Sequence, residues 1–207
     1  MAISDLSFKL YNETGLSDLF TGTFNTTART DLSIGAQDFT KYFGSLSVGT
    51  VLKASAVPGT TPITLTPTDN VSEWATSTAH TLGETIQPTG GGNTYVYTCT
   101  TAGTTDATTE PTWPTSGIGS TVTDGTVVWT LRGKKHNVNE VVLALTEAAL
   151  DTNTPGAALS LGTSISSGAA NEVEIWFRFT NAVATLSNTT AHPDISFNFN
   201  AIQEETA

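Results

Sequence analysis

The chain has 207 residues, which is enough for one large β domain or two small ones. Only 13% of the residues are charged and 38% are hydrophobic, so charge-driven disorder is excluded and a modest apolar core is expected. The formal net charge of −11 repels nucleic-acid phosphates and anionic membrane surfaces. We therefore expect neither nucleic acid nor a membrane surface as a direct partner.

Cys99 is the single cysteine, which excludes an intrachain disulfide and a zinc site of Cys type. In the run TYVYTCT, we expect it to pack as a small apolar side chain. The first residues carry neither a basic region nor an apolar region, so no secretory signal is predicted. No run approaches the roughly 18 apolar residues of a membrane helix. The sequence thus predicts a soluble protein made in a cytoplasm.

The first third of the chain predicts strands joined by turns. Gly35 interrupts any helix over residues 31–42, where we expect a loop or an irregular strand. Val57-Pro58-Gly59 is typical of a turn. The expected strands cover residues 6–11, 20–28, 50–56 and 62–66, of which 20–28 has the weakest pattern.

The stretch from Trp74 to Trp129 differs in composition from its surroundings. It holds three of the four tryptophans, and no Lys or Arg occurs from Ala54 through Leu131. Alternation predicts strands around Leu82 and Ile86, over residues 94–100, and on both sides of Asp124-Gly125, a pair that suits a type I′ hairpin turn. A composition break of this kind indicates a compact module set into a host domain.

The last third predicts two half-buried strands. In residues 172–179, apolar residues alternate with polar or charged ones, and residues 194–202 repeat the pattern. Residues 139–150 could form a strand or a helix, and the β-branched residues at the start of this range favour a strand there. We expect residues 132–136 to be a short basic link and QEETA at the end to be a charged tail. The predicted inward positions are Val173, Ile175, Phe177, Phe179, Ile195, Phe197 and Phe199.

Short alternating strands with Gly/Pro turns, and no convincing amphipathic helix, predict an all-β fold. Neither group of flanking strands looks able to close a core alone. We therefore predict a discontinuous Ig-like β-sandwich formed by residues 1–70 plus 131–207, with a small β module inserted at residues 71–130.

The sequence contains no recognisable catalytic constellation. The three histidines, His80, His136 and His192, lie in turn-like or polar contexts, and no G-x-S-x-G, phosphate-binding loop or metal-ligand spacing occurs. Glu172 and Glu174 share a predicted strand face, but beside Arg178 they are more typical of solvated charges. We predict no enzyme, no cofactor and no metal.

The aromatic residues of the central stretch have two interpretations. Trp74, Tyr95, Tyr97 and Trp113 are candidate contacts for a glycan, because aromatic rings stack on the apolar faces of sugars. Together with Trp129, they are also the expected core of a small module that depends on large side chains, and this interpretation is favoured, with a glycan platform accounting for one or two of the five. The glycan platform is kept as the alternative interpretation.

The spaced pattern of this stretch resembles a small β module that recurs in tailed-phage virion proteins. The pattern reads W-x3-T-x-H-x-L-G-E-x-I-x-P, then Y-x-Y-x-C-T-T-A-G-T-T, then T-E-P-x-W-P, then G-x-T-V-T-D-G-T-V-x-W. It is also similar, more distantly, to carbohydrate-binding modules of chitinases, although His80 and Glu84 stand where that family has Tyr and Asp. Residues 161–181, LGTSISSGAANEVEIWFRFTN, resemble an edge of Ig-like virion domains.

The resemblance implies a non-enzymatic virion structural protein, located on the surface of a head or associated with a tail. Its expected partners are other virion proteins, with many copies or a homo-oligomer on a symmetric assembly, and optionally host-surface glycans. The alternative is a carbohydrate-binding adhesion protein that acts through the Trp-rich module.

Overall fold

A computed structural model describes residues 6–22, 24–26, 35–180, 190–191 and 194–207 of the chain. The fold is all-β, which confirms the predicted class, and its sheets pair their strands almost entirely antiparallel. In the described ranges, the helices are short 3-10 turns at Thr14–Leu16, Val138–Glu140, Glu147–Asp151 and Ala169–Asn171.

The strands fall into three groups along the chain. The first group is β1 Lys9–Tyr11, β2 Asn25–Thr26, β3 Gln37–Gly44, β4 Thr50–Ala54 and β5 Thr64–Asp69. The second is β6 Ser72–Glu73, β7 Ala79–His80, β8 Thr85–Gln87, β9 Tyr95–Thr101, β10 Gly103–Thr104, β11 Thr121–Asp124 and β12 Val127–Lys134. The third is β13 Val141–Ala144, β14 Leu159–Ser160, β15 Ser164–Ser166, β16 Val173–Phe179, β17 Thr190–Ala191, β18 Ile195–Phe199 and β19 Ile202–Thr206.

One layer of the fold is a four-stranded sheet in the order β1-β3-β16-β13. The predicted alternation of β16 is confirmed, because Ile175, Phe177 and Phe179 are buried at every second position. Trp176 lies on the opposite face, where it packs against the small cluster that contains Leu150 of a 3-10 helix. The two faces of this strand thus serve different apolar clusters.

The facing layer is built from two sets of three strands, β14-β5-β18 and β15-β4-β19. The two sets share one run of chain, residues 195–206. The first part of this run, β18, pairs with β5, and the second part, β19, pairs with β4. At a strand rise of about 3.3 Å per residue, β18 and β19 each span about 16 Å, and the chain bends at Ala201 between them. The two sets therefore meet at this bend.

The two layers enclose one apolar core, which confirms a β-sandwich. Phe24 lies near its centre, with ring centroids 4.7 Å from Phe177 and 5.6 Å from Phe197. The buried members are Leu6, Phe8, Phe24, Phe43, Leu52, Ile63, Leu65, Val141, Leu143, Leu159, Leu161, Ile165, Ile175, Phe177, Phe179 and Ile195. Because both layers contribute to this cluster, its burial is what holds them together.

The central stretch forms its own sheet, in the order β11-β12-β9-β8-β6, with β7 and β10 as a separate pair. Every strand pairing of residues 72–134 stays within that range. A second buried apolar cluster lies against this sheet. We call this sheet, its β7–β10 pair and the connecting loops the module, and the rest of the chain the sandwich.

Several predictions about individual segments were wrong. Residues 37–42 are regular strand within β3, and the expected charged tail is strand β19, paired with β4. The expected basic link begins as the end of β12. Leu82, predicted as a strand anchor, is 67% exposed. The predictions for residues 23, 27–34 and His192 lie outside the described residues.

The predicted hairpin at residues 120–130 is confirmed, but its turn differs. Asp124 pairs with Val127, so the two central residues are Gly125 and Thr126. Gly125 has a φ of +59°, whereas Thr126 does not have a positive φ, which fits a type II′ turn and not type I′.

Candidate functional site in the Trp74–Trp129 module

The module is organised around a cluster of aromatic and branched side chains. Trp129 of β12 and Tyr97 of β9 have no exposed surface. The buried members of the cluster are Trp74, Ile86, Tyr97, Cys99, Val127, Trp129 and Leu131, with Tyr95, Trp113 and Val122 packed against them. A sheet this small buries little area, so it depends on its largest side chains.

Asp124 joins the two tryptophans that bracket the stretch. Its Oδ2 accepts hydrogen bonds from Trp74 Nε1 at 2.7 Å and from Trp129 Nε1 at 3.2 Å. Its Oδ1 accepts from the backbone N–H of Asp106 at 2.8 Å. The carboxylate is only 3% exposed, so these donors replace the water it has lost. The T-D-G motif is therefore a structural clamp on both indoles.

Glu110 fixes the third tryptophan in a similar way. Trp113 Nε1 donates to Glu110 Oε1 at 2.8 Å, and Thr89 donates to the same carboxylate from its backbone N–H and its hydroxyl. Burial raises the pKa of Glu110, but these hydrogen bonds outweigh it and leave the pKa below its ordinary value. The T-E-P-x-W motif thus holds the Trp113 ring in place through its own carboxylate.

The four predicted glycan contacts are brought into one neighbourhood but are unequally accessible. Tyr97 and Trp113 have ring centroids 4.4 Å apart. Trp74 is 9% exposed and Tyr97 has no exposed surface, so neither can offer a ring face to a ligand. Tyr95 and Trp113 are partly exposed. The glycan-contact prediction remains untested, and the surface available to it is that of Tyr95 and Trp113.

His80 occupies an unexpected place beside this cluster. Its side chain is only 9% exposed, its Nδ1 lies 2.8 Å from Glu84 Oε2, and its ring stands edge-on to Trp129 at a centroid distance of 4.9 Å. Thr81 also donates to Glu84, at 2.7 Å. The H-x-L-G-E spacing of the motif therefore closes a local turn that packs against the core.

Cys99 behaves as a core side chain. It is 1% exposed, and burial raises the pKa of its thiol. A thiol with a raised pKa carries little thiolate near neutral pH and is a poor nucleophile. The prediction that this cysteine packs as a small apolar side chain is confirmed by its burial.

The two carboxylates predicted to share a strand face have different partners, and Glu172 lies just before β16 rather than in it. Glu172 accepts from Thr14 and Gly15, whereas Glu174 lies 3.4 Å from the hydroxyl of Tyr42. Arg178 pairs with neither of them; it binds Asp38 in a bidentate manner at 2.8 Å and also contacts Asp151. The pKa of Asp38 is lowered by the hydrogen bonds from this guanidinium.

The segments that connect the module to the sandwich meet at a buried carboxylate. Asp194 has no exposed surface; it accepts from the Arg132 guanidinium and from the His136 backbone N–H, and its carbonyl accepts from the Asn70 N–H at 2.7 Å. Asp69, the last residue of β5, lies 3.4 Å from the ammonium of Lys135. We call these residues the joint.

The joint continues into the sandwich through a buried pair. His136 Nδ1 lies 3.0 Å from Glu140 Oε2, and Asn137 donates its backbone N–H to the other carboxylate oxygen at 3.1 Å. Both His136 and Glu140 are at most 2% exposed. The prediction that His136 lies in a turn-like, polar setting missed this burial. Buried polar side chains need hydrogen-bond partners, and each of these two has the other.

In the described part of the chain, no three His, Cys, Asp or Glu side chains are grouped so as to hold a metal ion. No helix among those residues has the length and apolar character needed to cross a membrane.

The chain matches no protein-family model, no curated protein and no solved structure.

Proposed function

We propose that this chain is a non-enzymatic structural protein of a tailed-phage virion, a surface decoration protein in which the sandwich docks on the head or tail and the module projects outward. The observation that carries the proposal is the joint. Both connections to the module leave the same end of the sandwich, where Asp194 ties them together. A module attached at a single place on the sandwich is the arrangement that a projecting unit requires.

The motif resemblance supports the same proposal, because the residues that carry it have definite structural roles. Asp124, Glu110 and His80 each hold a tryptophan or pack against one. A sequence signature of this kind specifies a small fold that can recur in different proteins. Fold alone does not define a function, so the virion assignment needs a direct test.

The test is mass spectrometry on purified virions of the phage that encodes this chain. The expected result is stoichiometric recovery of the protein, with labelling by an antibody against the module on the virion surface. Virions that are complete and infectious but lack the chain would overturn the proposal. Recovery in virions together with antibody access only after disruption would reject the outward-facing module.

The second candidate function is carbohydrate binding, and it is favoured by one observation. Trp113 is partly exposed, and its ring orientation is fixed by Glu110, as a stacking platform for a sugar requires. A glycan array with the whole protein tests it. Binding that is lost in Trp113→Ala and retained in Leu82→Ser, an exposed change in the same module, would support it; no binding on the array would remove it.

A further inference from the structure

A cavity of about 370 Å³ lies between the two layers of the sandwich. Phe43 of β3 and Phe177 of β16 line it from one layer, and Phe197 of β18 lines it from the other. Apart from Lys9 and Gly22, every residue of its lining is Leu, Ile or Phe. Small-molecule sites in proteins have volumes of about 300–1,000 Å³, so this cavity is large enough to hold a ligand.

The walls of the cavity determine the kind of molecule that fits it. Protein interiors rarely contain spaces larger than a water molecule, so this cavity differs from ordinary core packing. Ordered water needs several polar partners, which walls of Leu, Ile and Phe do not supply. An apolar molecule would contact these walls on all sides and lose its own apolar surface to water. The cavity therefore favours an apolar ligand.

The shape of the cavity favours an unbranched chain. Its lining follows the strand direction through Ile195, Phe197 and Phe199 of β18 and continues to Ile202 of β19. At about 3.3 Å per residue, the part along β18 alone is about 13 Å long. A long space confined between two layers suits an extended alkyl chain better than a fused ring system.

One side of the cavity reaches solvent beside strand β1. Lys9 and Leu10 of this strand are half-buried, and Gly22 is exposed. The backbone N–H of Phe20 donates to the Leu10 carbonyl at 2.9 Å, so residues 20–22 run beside β1. We call this side the rim. A ligand that fills the cavity can leave a polar head group at the rim, in contact with water.

The rim contains a cation. In the lining formed by the described residues, Lys9 is the one ionic side chain. Burial raises the pKa of nearby Glu204, but hydrogen bonds from Ser7 and the charge of Lys9 outweigh it and lower that pKa. The Glu204 carboxylate already accepts from the backbone N–H and the hydroxyl of Ser7. An ammonium group beside an apolar cavity is suited to the carboxylate of an amphipathic ligand.

We propose that this cavity binds a free fatty acid, with the alkyl chain between the two layers and the carboxylate at Lys9. The site lies in the sandwich and uses no residue of the module, so it goes beyond both functions proposed above. A ligand bound only by the folded chain also stabilises it, because binding lowers the free energy of the folded state.

The first experiment is isothermal titration calorimetry of the whole, delipidated protein with dodecanoate below its micellar concentration. We expect saturable binding, and binding of dodecanol that is weaker by about tenfold or more, because the alcohol offers Lys9 no charge. Lys9→Met should weaken dodecanoate binding by a similar factor. The matched control is Lys53→Met, since Lys53 pairs with Glu205 at 2.8 Å and is not part of the lining. This control should bind as the wild type does.

The second experiment fills the cavity. Ile202 is a half-buried part of its wall, so Ile202→Trp should abolish dodecanoate binding. Leu82→Trp, at a 67% exposed position of the module, should leave binding unchanged. Thermal unfolding shows whether each variant is folded. If Ile202→Trp does not fold, nuclear Overhauser effects between labelled dodecanoate and the rings of Phe197 and Phe199 in the wild type decide the location of the chain.

Four results would overturn the proposal. The first is no binding of dodecanoate to the wild type, and the second is full binding to a folded Ile202→Trp variant. The third is bound dodecanoate without Overhauser effects to either phenylalanine. The fourth is equal affinity for dodecanol and dodecanoate, or for the wild type and Lys9→Met, which would reject the carboxylate contact. All four use the isolated protein, so they are separate from a failure to find the chain in virions.

Discussion

The sandwich and the module solve the same problem of burying apolar surface in different ways. The sandwich core is a single cluster of Phe, Leu, Ile and Val side chains that contains no carboxylate. The module core has three tryptophans, two of them tied to the single buried carboxylate of Asp124. A large core buries enough apolar area to be stable without polar links, whereas a small core depends on a few large rings, which hydrogen bonds hold in place here.

The largest expected effect is in the sandwich. Phe177 is 1% exposed and contacts Phe24 and Phe197, so Phe177→Ala should lower the free energy of unfolding by about 3–5 kcal/mol. Hydrogen exchange of β16 amides measures this loss, and Phe177→Leu should lose less. If the two cores are independent, the amides of β9 keep their protection; equal loss in β9 would show that they unfold as one unit.

The next effect is in the module. Asp124→Ala removes the acceptor of two indole N–H groups and one backbone N–H, and buried donors without partners are costly. We expect a loss of about 2–4 kcal/mol. Tryptophan fluorescence during urea unfolding is a suitable measurement, since three of the four tryptophans lie in the module. Asp124→Asn, which retains one side-chain oxygen, should lose less stability. A urea unfolding midpoint for Asp124→Ala equal to that of the wild type would contradict the role of Asp124 as the acceptor for both indoles.

The hairpin glycine gives a smaller effect. Gly125 has a φ of +59°, and a Cβ there would collide with the carbonyl oxygen of Thr104. Gly125→Ala should destabilise the module by about 1–3 kcal/mol. Gly119→Ala is the matched control, because Gly119 also has a positive φ of +84° but has nothing within 4 Å of the added carbon. Equal urea unfolding midpoints for the two variants would mean that the contact between the added Cβ at residue 125 and the Thr104 carbonyl oxygen has no effect on stability.

The smallest effect concerns pH. Hydrogen bonds from Thr89 and Trp113 hold the pKa of Glu110 below its ordinary value of 4.5. A lowered folded-state pKa contributes stability that is present above pH 4.5 and is lost as the pH falls through the folded value. Glu110→Gln should therefore cost about 1 kcal/mol at pH 7 and progressively less in acid. Urea unfolding from pH 7 to pH 3 checks this; a constant difference from wild type, or a similar trend in exposed Glu73→Gln, would refute the assignment.

The strands most visible in the sequence are those with an uninterrupted alternation. Ile175, Phe177 and Phe179 of β16 alternate with polar or amphipathic residues, and the chain folds there as predicted. In β3, Lys41 occupies the same face as Phe39 and Phe43 and breaks the pattern. Its ammonium lies over the rings of Phe20 and Phe24, at 5.2 and 5.6 Å, an arrangement that only the tertiary structure reveals.

Strand β19 and the long-range hydrogen bonds of Asp124 and Asp194 could not be predicted from the local sequence pattern. Residues of β19 form a strand because their backbone pairs with β4, not because they carry an apolar alternation. The links of Asp124 to Trp74 and of Asp194 to Arg132 join residues 50 and 62 positions apart. Pairings at such separations depend on the closed fold. The aromatic candidates were identified from the sequence, but the division into buried and accessible rings was not.

The arrangement of the joint bears on how such a protein can change over evolutionary time. The chain leaves the sandwich after Asp69 and returns by Lys135, and these two side chains are 3.4 Å apart. An insertion whose ends meet can be lost, or exchanged for another unit, with only a short bridge between the two strands. The sandwich would then be retained as the host domain, while different insertions replaced the segment between Asn70 and Arg132.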